Sequence, residues 1–222
     1  VKWLDSVALS LVLGLALTAC DAENPSSGDA EAEGGSEGRL DDASGNRLAL
    51  TPEQLSGDFF FVVSTKLLPR APAVFLAQIK AEREGDHIVM YLRQQPLSKT
   101  DRATPVALWG PWDRGTVDED GNFVSDTINA RIPAEANPIT GFDTDAEIAL
   151  AGSMSEAFDL ASHEGQVDFM CGQITGRILR PLAIDDLTGS TYTATRIADI
   201  DDPSTYPADV VINCQGDLAR PL

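Results

Sequence analysis

The chain has 222 residues, with 16 basic residues against 35 acidic ones and a formal net charge of −19. That field argues against nucleic acid as a partner, because phosphate recognition is dominated by basic charge, and against docking of the protein surface on anionic lipid. The length has room for one domain and a tail, not two full domains.

The first twenty residues read VKWLDSVALSLVLGLALTAC: Lys2 near the start, an apolar run from Val7 to Ala16, then Leu17, Thr18, Ala19 and Cys20. The run is too short to span a bilayer comfortably and fits the hydrophobic region of a signal peptide, where small residues precede the cut. Leu17 to Cys20 resembles the lipobox of bacterial lipoproteins exported with a type II signal peptide. The resemblance implies that residues 1–19 are removed, that the Cys20 sulfur carries diacylglycerol, and that the new amino terminus is acylated, palmitate being a typical chain. Two or three acyl chains give stable anchoring where one gives only marginal binding. The implied location is the bacterial cell envelope, on a membrane and outside the cytoplasm, and Asp21 does not decide between inner membrane, outer membrane and cell surface.

Residues 20–49 follow as an acidic linker. Between Asp21 and Ala49 there are eight acidic residues, two basic ones and no aromatic residue. Such a segment cannot bury enough apolar surface to offset its ordering entropy, so it is expected to act as a disordered tether, extended by like-charge repulsion.

Residues 50–222 are expected to form the single folded domain; they hold all eight Phe and all three Tyr. Thr51, Pro52 and Glu53 suit a short helical turn. Phe59, Phe61 and Val63 then alternate with Phe60, Val62 and Ser64, the pattern of a strand with at least one deeply buried face. PAVFLAQIKAE suits either helix or strand; the strand is preferred because GDHIVMYLRQQPL repeats its length and alternation. Three strands on short turns make a meander whose ends could stay open to a ligand. Residues 98–111 are expected to be loop, and a strand pattern resumes at Thr116, turns at Asp120-Gly121 or Gly121-Asn122, and is interrupted at Asp126.

Further strands are expected in AEIALAGSM, EAFDL, QVDFMCGQITGRILR, STYTATRIAD and ADVVINC. Gly172 and Gly176 suggest a bulge or a second hairpin in the longest, and STYTATR sets Tyr192, Ala194 and Arg196 on one side. Eight to ten strands with little helix predict an all-β domain, an antiparallel β-sandwich or a closed β-barrel. A lipocalin-like closed barrel is the ligand-binding variant of that expectation.

With Cys20 assigned to lipid, Cys171 and Cys214 remain. In an oxidising compartment an even pair within apparent strands predicts a disulfide. No CxxC or HExxH pattern points to a structural metal or redox centre. Asp118, Asp120 and Asn122 offer three hard oxygens in one turn and form a calcium candidate, although the loop lacks EF-hand spacing. Trp109 and Trp112 flank Gly110-Pro111 and form a candidate ligand-binding platform for a glycan or aromatic molecule. His87 and His163 stand beside acidic and glycine residues at turns, and Ser153 lacks the GxSxG elbow. No catalytic residue is assigned. The expected role is non-enzymatic, in binding or assembly: binding a small molecule, a glycan or a protein at the envelope, with a structural envelope protein or, less favoured, a hydrolase as alternatives.

Overall fold

A computed structural model describes residues 50–118, 122–139, 143–154, 158–159 and 166–221, without the side chains of residues 154, 158 and 159. The lipobox with Cys20, the acidic linker, Asp120 and His163 lie outside the described residues. The domain opens with a four-residue helix, α1 (Pro52–Leu55). Proline at its start suits the first turn, where its missing N–H is no loss, and the Gln54 side chain accepts from Thr51 N at 2.8 Å.

The strands are β1 (Gly57–Ser64), β2 (Ala73–Glu84), β3 (His87–Pro96), β4 (Asp113–Val117), β5 (Phe123–Ser125), β6 (Ile128–Ile132), β7 (Ala146–Met154), β8 (Phe158–Asp159), β9 (Phe169–Arg180) and β10 (Ser190–Arg196). Each of β1 to β4 pairs antiparallel with the next, β5 pairs with β7, β7 with β9, β9 with β10, and β10 with β1. The ring therefore closes as an eight-strand antiparallel barrel. Of the two expected architectures, the barrel is the one found. β6 continues the β5 edge along β7, and β8 pairs at the end of β9. Asp126 and Thr127 separate β5 from β6, as the broken alternation predicts.

PAVFLAQIKAE is a strand, because alternation puts Ala77 and Ile79 in the interior while Lys80 and Glu82 reach the outer side. Three expectations need correction. β4 begins at Asp113, three residues before the predicted restart, since Pro111 and Gly115 obscure its alternation. β9 is one continuous strand with no hairpin; of the two alternatives a register shift is found, not at Gly172 or Gly176 but where Arg180 and Ile178 face Glu147 and Ile148. ADVVINC is not a barrel strand: among the described residues it carries one isolated bridge, Val211 to Leu218. It lies over the outside of β10, where Thr191 and Thr193 hydroxyls donate to the carbonyls of Ile212 and Val211. Its Val210 and Ile212 are buried, so hydropathy alone mimics a strand.

Two apolar clusters result. Phe59, Phe61 and Val63 point inward with the barrel core, whereas Phe60 and Val62 point outward and are covered by Ile197, Val210 and Ile212. Six consecutive residues of β1 are buried for that reason. Tyr206 sits on Phe60 with ring centroids 5.8 Å apart. The covering segment is fastened to β9 by Cys171 and Cys214, whose sulfurs lie 2.03 Å apart across 43 residues of chain. A closed loop of that length corresponds to about 4 kcal/mol in the chain-entropy model.

Candidate functional site

One end of the barrel is shut by α1 and Arg196. Alternation along β10 places Tyr192, Ala194 and Arg196 on one side, as the sequence predicts. The first two face the core, and the guanidinium lies 4.6 Å from the Phe59 ring centre. It donates to three backbone carbonyls, Val167 at 2.7 Å, Ser56 at 2.9 Å and Gln54 at 2.9 Å. Burial lowers the affinity of Arg196 for its proton, and the nearby Asp168 and Asp58 carboxylates oppose that shift. A side chain at position 57 would strike this guanidinium, which explains the glycine there.

Toward the other end the interior is incompletely filled. A cavity of about 70 Å³ opens there. Its wall is mostly apolar, with Phe61, Met90, Leu92, Ile148, Leu150 and Ile174 among its members. Phe61 and Tyr192 stack on one side, their centroids 5.6 Å apart and their planes 11° from parallel. The Tyr192 ring occupies space that a side chain at Gly172 would need. Burial pushes the Tyr192 phenol up, so it stays neutral at physiological pH.

Few polar side chains join that wall. Ser125 accepts from Gly152 N at 2.8 Å. Gln94 and Asp113 stand nearer the rim, at the end of β3 and the start of β4. Desolvation raises the Asp113 carboxyl above the ordinary aspartate range. The inward row of β4 thus runs Val117, Gly115, Asp113, and its last member is half-buried and charged. Sequence reading missed Asp113 because WDRG looks like loop; the usable signal was its two-residue spacing from Gly115 and Val117.

The residues singled out from sequence fall elsewhere. Trp109 and Trp112 do come together, but on the outer wall of β2 and β3, with Arg93 between them at 4.9 and 4.8 Å from their ring centres. Lys80 lies 4.8 Å from the Trp112 ring as well. The two indoles therefore gather cations of this chain's own. Asp118 and Asn122 close the β4–β5 turn, Asn122 donating to Asp118 through both its backbone and its amide. Among the described residues no three His, Cys, Asp or Glu side chains converge as a metal site. His87 and Ser153 are exposed. No family model, curated protein or solved structure matches the chain.

Proposed function

We propose that this protein binds a small apolar molecule inside its barrel, entering by the end opposite Arg196, and that it does so as a lipid-anchored protein of the bacterial envelope. The observation that carries the binding role is the open, apolar cavity in a barrel whose other end is closed by α1 and Arg196 and whose outer face over β1 is covered. An eight-strand barrel is just wide enough to be filled by its own side chains or to hold one small ligand. Here the chain has apolar residues to spare for the outside of β1 and yet leaves room within. An apolar cavity with a few polar groups near its mouth is the usual form of a small-molecule site. The anchoring role rests on Leu17 to Cys20 alone.

Gly152 gives a direct test. A Cβ there would make only ordinary contacts, 3.5 Å to Tyr192 and 3.7 Å to Ser125. Further methyl groups would occupy the cavity. Hexan-1-ol titrated into the full-length protein should shift the amide resonances of Gly115, Ser125 and Gly152, and Gly152→Val should weaken that binding at least tenfold while leaving the fold intact. Unchanged spectra, or binding unaffected by Gly152→Val, would overturn the cavity reading. Mass spectrometry of the native product should find a diacylglyceryl thioether at Cys20; an unmodified Cys20 would overturn the anchor.

A further inference from the structure

Asp113 is an unusual member of an apolar wall. Strand alternation directs it inward, opposite Leu92 in the β3–β4 pairing and beside Gln94, Ser125 and Ile128. No hydrogen bond or ion pair reaches its carboxylate among the described residues. The cations nearest in sequence and register are engaged on the outside. Arg114 follows it directly but pairs with Glu84, 3.3 Å away. Arg93 stacks between the two indoles and donates to the Gln78 side chain at 2.8 Å. A carboxylate that loses water without gaining a partner is costly, and a cation delivered to it removes that cost.

We propose that the cavity selects a small hydrophobic amine, its ammonium on Asp113 at the rim and its apolar body between Phe61, Met90, Leu150 and Tyr192. This inference rests on the cavity reading above and adds the charge of the ligand. Three features agree on that charge: the inward carboxylate, the outward engagement of both neighbouring arginines, and the acidic field that concentrates cations around the molecule. A carboxylic acid of the same length would place like charge against Asp113 and is disfavoured. The Tyr192 phenol, neutral and deep in the wall, adds no opposing charge.

The test compares hexylamine, hexan-1-ol and hexanoate on the full-length protein, following the same interior amide resonances. Hexylamine should bind at least tenfold tighter than hexan-1-ol, and hexanoate more weakly than either. Asp113→Asn, nearly isosteric, should bring the amine and the alcohol to within twofold of each other. Glu82→Gln removes an exposed outer carboxylate and should leave the amine preference intact. Alcohol and amine binding equally well inside the barrel would overturn the amine inference while the cavity reading stands. Amine preference surviving Asp113→Asn would assign it to the general field and also overturn the inference. Absence of interior shifts with all three probes would overturn both.

Discussion

At the closed end of the barrel Arg196 meets a ring face and three carbonyls, whereas at the open end Asp113 meets no polar partner among the described residues. Both are charged side chains at the end of an inward row, and both are partly desolvated. The first is saturated from its own chain, with Leu55 and Val167 fully buried beside it. The second faces a space. A buried polar group is tolerated when its partners are built in, and the contrast marks the open end as the place where a partner arrives from outside.

The contrast can be broken most directly at the closed end. Leu55→Ala should cost about 3 kcal/mol, because the side chain is fully buried in the core. Arg196→Ala should cost about 2 kcal/mol or more, since it takes a donor from the Val167 and Ser56 carbonyls and uncovers the Phe59 ring. Equilibrium unfolding in urea measures both. Losses below about 1 kcal/mol would mean that the closed end is not the stabilising one. At the open end Ile128, half-exposed and next to existing space, should lose less than about 1 kcal/mol on truncation to Ala, as no new fully enclosed void forms. A larger loss there would erase the distinction between the ends.

Much of this was legible in the sequence where side-chain alternation and burial coincide. Phe59, Phe61 and Val63 announce an inward row, and Tyr192, Ala194 and Arg196 share a side in the sequence as they do in the barrel. The cysteine pair was legible because only two thiols remain after Cys20. Closure was not, since the pairing of β7 with β9 follows from the whole ring and from no local pattern. ADVVINC misled because apolar residues lying across a sheet show the same hydropathy as residues within one. The tryptophans misled for a related reason. Their spacing brings them together, but the Arg93 side chain that fills the gap comes from a strand sixteen residues earlier than Trp109. Asp113 was the hardest to see, because a charged residue after Pro111 and Trp112 carries every mark of a loop.

The finest test of the comparison concerns the charge on Asp113 itself. Its carboxyl is raised in the folded protein by desolvation, so the ionised form is disfavoured there relative to the unfolded chain. The resulting cost is present at neutral pH, shrinks as pH falls below the raised value, and is gone below the ordinary aspartate range, where both states hold the proton. Asp113→Asn should therefore raise the thermal midpoint at pH 7 by about 1–2 °C, a small shift for a domain of this size and a half-exposed group. Near pH 3 the two proteins should melt together. Asp186, drawn down to about 2 by its hydrogen bonds with Thr188 and Lys66, loses its stabilising charge over the acid range in both proteins and cancels from the difference. A midpoint that falls at pH 7 on Asp113→Asn would mean that the carboxylate already has a partner in the folded protein. The open end would then be as self-sufficient as the closed one.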